Sequence, residues 1–563
     1  MLSTYSAHND ALFEFQNILD PAVFWAMCFT LLTLGMVGLT PLHPHKDLSS
    51  HGMIMLGLRR ICLILIGVEI LLFMGLAASI YLTFGDDVLH NLVVNYAWKW
   101  GVRLPIFLII GIVCRLIYHR WLMPKISALL RKMRITQDED SVSDMKNEIG
   151  RYKAKDFDPL SYIRPDKIFI GLNGDTGKPE YADMTMWDET NKMVVGATRY
   201  GKGVTYQIWA AQAIRRGRTV FYIDPKEDKW MPKVLEQEAK KLGKTFLYVD
   251  IADPEAPGNY APFAHGTPED RRSRFYEIMG LVERGTDADH YKVTARRYLF
   301  NIFADAGQSG SLPALLATIQ RIHDTDTGNK EENQARRKSL GTVLARLMEW
   351  ASYSTLNGKG GFSVEKTLLN PNGAVIYFRG SLDDQIILAA TQTFLIEVRQ
   401  EIKRLEKKRA THVEVLVDEL RYLVSDTVLS ALATIVGERA TFALAFQNFG
   451  DLENPKDKSM NGRAVLQSVR VNCQVKAFFG GSDADTAEWI AKTTGDTNKR
   501  AVRMEKTDVN AMGGETWSAQ RTFGDVQEFI IPENVVKALP PKVAVIMQPN
   551  KLANVVCVSP VKV

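Results

Sequence analysis

The stretch GATRYGKGVTYQ, residues 196–207, carries a glycine, four further residues and then a Gly201-Lys202 pair. These residue types suit one kind of chemistry. Gly196 and Gly201 allow a tight turn that leaves backbone N–H groups free to surround a phosphate. Ala197, Thr198, Arg199, Tyr200, Gly203 and Val204 complete the loop, and the helix expected from Gly203 onward points its positive end at the same place. Lys202 has the reach to neutralise terminal phosphates. One part is missing. A phosphate loop ordinarily sets serine or threonine after the lysine, where its hydroxyl meets magnesium, and here that position is Gly203. Thr205, Thr198 or water held by a distant acid is left to complete the shell of the metal.

A second constellation supplies such an acid. VEVLVDEL, residues 413–420, is an apolar, β-prone run leading into Asp418-Glu419. An acid at the C-terminal end of a parallel strand stands where ligands bind in open α/β sheets. Asp418 is expected to hold magnesium through water, and Glu419 to polarise an attacking water. ATFALAFQ, residues 440–447, ends another strand on Gln447, which either senses the γ-phosphate or bonds a neighbouring loop. Arg439, just before that strand, is either an arginine finger reaching across a subunit interface or a solvated helix-end residue. Taken together, Lys202, Asp418, Glu419, Gln447 and Arg439 form the catalytic set of an ATPase. Asp418 and Thr205 are its expected metal ligands, and ATP and Mg2+ its ligands.

These residues need elements to position them, and the pattern provides them. Strand-like runs at 167–172, 191–198, 218–224 and 245–250 alternate with helical stretches such as 203–217, the signature of a parallel sheet with crossover helices. From about 263 to 365 the apolar residues recur at helical spacing, which predicts an all-helical insertion. Strand-like runs return at 373–380, 413–420, 440–447, 472–481 and 542–550. The fold expected is α/β: a P-loop nucleotide-binding domain over 166–262 and 366–563, with a mainly parallel sheet, interrupted by an all-α domain at 263–365. A charged linker, 135–165, precedes it.

Residues 1–134 differ in character. Apolar runs at about 21–42, 61–84 and 104–122 predict three membrane spans, the last carrying Arg115. Lys46, Arg59 and Arg60 follow the first run, and Arg120, Lys125, Arg131, Lys132 and Arg134 lie around and beyond the end of the third. By the positive-inside rule the bulk of the chain is then cytoplasmic. Glu69, in the second run, marks either a functional path or a helix-packing position. Five cysteines without CxxC pairs argue against a disulfide framework or a zinc site, and His43, His45 and His51 read as loop histidines. A net charge of +5 does not by itself identify a nucleic-acid binder. The basic groups Arg271-Arg272-Ser273-Arg274, Arg296-Arg297 and Arg336-Arg337-Lys338 lie in the helical insertion, where a DNA-tracking surface competes with a solvated helix face.

Several stretches in shared order resemble the type IV secretion coupling proteins, the TraD/TraG type of conjugative systems. They are IFIGLNGDTGKPEY, NKMVVGATRYGKGV, FYIDPKED, VLVDEL, AFQNFGDLE and NCQVKAFFGGSDADTAEWIAKTTG, spread over most of 166–550. In one branch of that family the loop reads GxTRxGKGV, with glycine after the lysine. The resemblance implies a ring-forming, RecA-like ATPase, a homo-hexamer, anchored in the bacterial inner membrane as a multi-pass protein. It would recruit relaxase-bound single-stranded DNA, and protein effectors, and drive them into a type IV secretion channel during conjugation. Its partners would be single-stranded DNA, relaxase and relaxosome proteins, channel subunits and the lipid bilayer. Asp224 and Lys226 of FYIDPKED carry over as nucleotide-site residues. The alternative is a membrane-anchored substrate receptor in which nucleotide controls ring assembly without driving translocation. Family members usually have two spans, where hydropathy here gives three.

Overall fold

The computed structural model describes residues 2–39, 50–101, 103–122, 125–126, 150–255, 260–285, 287–304, 310–357, 362–457, 460–509 and 515–563. The loop histidines His43 and His45, the basic residues Lys46, Arg131, Lys132 and Arg134, and the first half of the expected linker lie outside them. Contacts divide the chain into two units. Residues 1–144 and 498–527 form one, and residues 145–497 and 528–563 the other.

In the first unit, helices α1 (Leu2–Leu39), α2 (Ser50–Phe84), α3 (Asp86–Gly101) and α4 (Leu104–Ile117) follow one another. Among the described residues two helices are long and apolar enough to cross a membrane, over Phe13–Gly38 and Leu56–Phe84. The third expected span is a shorter α-helix with a π continuation. α4 has 14 residues and passes into a π-turn at Tyr118–Leu122. At about 1.5 Å per residue α4 falls short of a hydrocarbon core of about 30 Å. Arg115 does not snorkel alone, because its Nη1 donates to the Gly38 carbonyl at the end of α1, 2.7 Å away. Glu69 lies against Ala26 and Leu72 between α1 and α2, and its carboxyl oxygens have no partner.

The second unit is built on one eleven-stranded sheet. Its strands are β1 (Lys167–Asn173), β2 (Pro179–Asp183), β3 (Asn191–Val195), β4 (Thr219–Asp224), β5 (Thr245–Asp250) and β6 (Ala374–Arg379), then β7 (Val413–Val417), β8 (Ala440–Phe446) and β9 (Cys473–Phe479). A two-stranded sheet, β10 (Asp496–Val509) with β11 (Glu515–Phe529), comes next in the chain. β12 (Val543–Met547) and β13 (Asn554–Cys557) return to the large sheet. The order is β2-β1-β13-β12-β9-β3-β8-β7-β4-β6-β5. From β9 to β5 neighbouring strands are parallel, and β12, β13, β1 and β2 extend the edge in antiparallel fashion. Strands β3, β4, β7 and β8 are buried at every position, which is why they read as continuous apolar runs rather than alternating ones.

Between β5 and β6 the described residues are helical and carry no strand, with helices Pro268–Ile278, Asp289–Leu299, Leu312–Asp324 and Lys330–Ala351. Their apolar faces, Phe275, Leu299, Ile319 and Leu347 among them, join one core with Phe378 and Phe394 beneath the sheet. Three of the basic residues there, Arg271, Arg274 and Arg336, are structural, while Arg297, Arg337 and Lys338 are exposed. Arg274 is fully buried and donates to the carbonyls of Pro262 and His265. Arg271 donates to Phe263 O, and Arg336 to Thr325 O. Each satisfies a chain-end carbonyl that burial would otherwise leave bare. The second half of the expected linker is also part of the fold: Phe157 packs edge-on against Phe169, and its N–H donates to Ser559 Oγ.

Candidate active site

β3, β8, β7 and β4 are neighbours with their C-terminal ends at one edge of the sheet, β3 and β8 ending together and β8 running two residues past β7. Val195 pairs with Phe446, Leu444 with Val417, and Val417 with Ile223. Gly196, Gln447 and Asp418, which follow their strands, and Asp224, which ends β4, therefore gather at one edge of the sheet. Parallel strands direct their carboxyl ends into a common crevice, the usual ligand position of such sheets.

The loop after β3 keeps the shape its glycines allow. Gly201 has φ +128°, and a Cβ there would lie 2.7 Å from the Phe479 ring. A Cβ on Gly196 would lie 2.5 Å from Phe479 Cβ. The helix Lys202–Arg215 starts at Gly201 with no side chain capping its first N–H groups, so these donors face the crevice unsatisfied. Lys202 Nζ donates to the carbonyls of Gly196 (2.6 Å) and Ala197 (3.3 Å), within its own loop. Burial lowers the proton affinity of its ammonium, against the pull of Asp418 and Glu419. Thr198 and Arg199 are exposed on the loop, and Tyr200 and Val204 are half-buried beside it.

Opposite the loop, burial pushes the Asp418 carboxyl up to about 7, helped by Asp224 and opposed by Lys226. Glu419 has a left-handed backbone, φ 54°, a conformation that costs a non-glycine residue about 1–2 kcal/mol. It is 1% exposed, and both of its oxygens are held. Oε2 is paired with Lys226, and Oε1 accepts from Gln447 Nε2 at 3.1 Å. Gln447 is fixed in turn, its N–H bonded to Asp451 Oδ2 at 3.0 Å.

The two FYIDPKED residues make their contacts at the same sheet edge. Asp224 Oδ1 accepts from the N–H groups of Lys226 (2.7 Å) and Glu227 (3.1 Å). Its Oδ2 accepts from Asp228 N (2.7 Å) and Tyr377 OH (2.5 Å). Asp224 is thus consumed in shaping the loop after β4, while Lys226 turns to the Glu419 carboxylate.

Two expected members are not brought in. Arg439 precedes β8, so it stands at the opposite edge of the sheet from Gln447, and its guanidinium donates to the carbonyls of Arg409 and Ala410. The Thr205 hydroxyl is buried, without a partner and without solvent access. Others were missed. Gly481 packs so close to the loop that a Cβ would meet Ala197 Cβ at 2.8 Å. Lys542 N donates to Tyr200 O at 2.7 Å. The Gly480-Gly481 doublet at a strand end was the available signal for the first; Lys542, over 300 residues away from the loop, had none.

No group of three or more His, Cys, Asp or Glu among the described residues is placed to hold a metal unaided. What the crevice offers instead is an uncapped helix end, a lysine bonded only to carbonyls, and a carboxylate opposite. That set fits a metal carried in on phosphates, not a resident ion.

Comparison with known proteins agrees with this geometry. Residues 412–541 match the family described as the TraM recognition site of TraD and TraG. Among solved structures, the bacterial conjugative coupling protein TrwBdeltaN70 in a sulphate complex aligns with TM-score 0.53 at 16% identity, covering 73% of this chain and 95% of that one. The plasmid coupling protein TrwB in complex with ADP and Mg2+ aligns with TM-score 0.52 at 17% identity, covering 72% and 91%. TrwB with the ATP analogue ADPNP aligns with TM-score 0.52 at 16% identity, covering 72% and 92%. No curated protein matches the sequence significantly. The chain has the fold of the conjugative coupling proteins, a RecA-type, mostly parallel sheet, and within it residues 412–541 carry the sequence signature of TraD and TraG.

Proposed function

We propose that the protein is a coupling ATPase, anchored in the inner membrane through α1 and α2. It would bind ATP with Mg2+ at Gly196–Val204 and use hydrolysis to drive relaxase-bound single-stranded DNA into a type IV secretion channel. The observation that carries this reading is the placement of the phosphate loop, Asp418-Glu419 and Gln447 on adjacent strand ends. Similarity to a TraM recognition region supports a relaxosome partner, and similarity to TrwB supports nucleotide and magnesium as ligands.

The chain's own residues define the steps. Lys202 exchanges its two loop carbonyls for phosphate oxygens, and the uncapped N–H groups of its helix take the rest of the anion. Glu419, held by Lys226 and Gln447, aligns a water and accepts its proton. Gln447 links that base to its own strand end, so a shift of one moves the other. A bound magnesium ion would supply charge neutralisation to the phosphates, and Asp418 would hold it through water.

The test is ATP turnover by the detergent-solubilised protein with and without single-stranded DNA. DNA should stimulate turnover, and Lys202→Ala should abolish it. Equal turnover by wild type and Lys202→Ala refutes the reading.

A further inference from the structure

The loop lacks the hydroxyl residue after its lysine, and what occupies the vacated space is visible. A Cβ built on Gly203 would lie 3.4 Å from Asp228 Oδ2. Gly203 belongs to the first turn of the helix Lys202–Arg215, so this space is where a serine or threonine side chain would begin. A carboxylate oxygen from the loop after β4 reaches it instead.

The placement of Asp228 is built, not incidental. Its N–H is bonded to Asp224 Oδ2 at 2.7 Å, and its carbonyl accepts from Tyr377 OH at 3.4 Å. Its Oδ1 accepts from Trp230 N (2.7 Å) and Met231 N (3.2 Å), which caps the start of the helix Met231–Lys241. With Oδ1 and the backbone occupied, Oδ2 is left turned to Gly203, and it has no hydrogen-bond or ion-pair partner among the described residues. A carboxylate oxygen left bare beside a helix N-terminus and a phosphate loop is a hard donor of the kind magnesium prefers. It stands beside the strand end that carries Asp418, since β4 and β7 are neighbours.

We infer that Asp228 takes over the role of the missing hydroxyl and holds the nucleotide-bound Mg2+ from the side of Gly203. A Cβ on Gly203 would stand in ordinary contact with this oxygen, so a serine side chain there and the Asp228 carboxylate would address the same side of the loop. The inference rests on the nucleotide reading above and assigns a metal-holding residue that the loop motif does not contain. Asp224 and Tyr377 are positioning residues for it.

The test measures binding of a fluorescent ATP analogue to the full-length solubilised protein, in Mg2+ and in EDTA, with Mn2+ electron paramagnetic resonance as a second readout. Asp228→Asn keeps the Oδ1 acceptor that caps Met231–Lys241 and removes the charge. It should weaken binding by about tenfold or more in Mg2+, leave binding in EDTA unchanged, and alter the Mn2+ signal. Gly203→Ser added to Asp228→Asn should restore Mg2+-dependent affinity by returning the hydroxyl. Three results overturn the inference: unchanged metal dependence in Asp228→Asn, equal weakening in Mg2+ and EDTA, or a loss that Gly203→Ser does not restore. Failure of the unmodified protein to bind nucleotide at all overturns the proposed function and this inference with it.

Discussion

Replacing Glu397 with glutamine should stabilise the protein at alkaline pH and leave it unchanged in mild acid. Glu397 is fully buried in the helix Gln385–Arg404, where it ties the helical insertion to the sheet. Tyr260 OH donates to its Oε2 at 2.7 Å, Arg274 stands 4.0 Å away, and its Oε1 is buried without a partner. Burial pushes its carboxyl from 4.5 up to about 7, against Arg274 and Tyr260. A folded pKa above the unfolded value means the neutral acid is the form the fold prefers. Its stability contribution is complete below 4.5 and is lost as pH rises through about 7. At 1.36 kcal/mol per pH unit, the loss is on the order of 3 kcal/mol. Glutamine is neutral throughout and keeps the acceptor for Tyr260. The assay is thermal melting of the solubilised protein, wild type against Glu397→Gln, from pH 5 to 9. The difference in melting temperature should be near zero at the acid end and grow to a few degrees in favour of the variant above pH 7. A difference that is flat across the range, or that favours wild type at high pH, refutes the argument.

Gly201→Ala should cost about 2 kcal/mol or more in the loop, from its left-handed backbone and its overlap with Phe479, and nucleotide affinity should fall at least tenfold. Unchanged affinity would mean that the loop adopts another shape when occupied. Lys226→Met should cut turnover sharply and keep ATP affinity within about threefold, because its partner is Glu419 and not a phosphate, and it leaves a buried carboxylate uncompensated. An affinity loss equal to that of Lys202→Ala would return Lys226 to the nucleotide.

Much of the site could be read from spacing, and for an identifiable reason. Strands buried on both faces appear as unbroken apolar runs, so the residues just past them, Gly196, Asp418 and Gln447, announce themselves. Arg439's distance from Gln447 within the chain could have been read in the same way. Arg439 precedes the seven-residue β8 and Gln447 follows it, and a strand of that length separates its ends by about 20 Å. The third apolar run is helical over the expected residues, but the helix changes from α to π after Ile117, which composition does not reveal. The strands β10 and β11 were not seen at all: residues 498–527 group with the N-terminal segment and not with the sheet that flanks them in sequence.

Composition and periodicity alone determined the alternation of strands and helices, the helical insertion, two apolar helices and the glycine-lysine loop, since each of these depends on neighbours a few residues apart. Which strand lies beside which depends on contacts across hundreds of residues. Only the tertiary structure set β8 between β3 and β7, turned Lys226 from phosphate to Glu419, and used both oxygens of Asp224 to hold a turn. The same long-range packing brought Asp228 against the bare Gly203, because a side chain's partner is chosen by where the backbone has been folded and not by its own type.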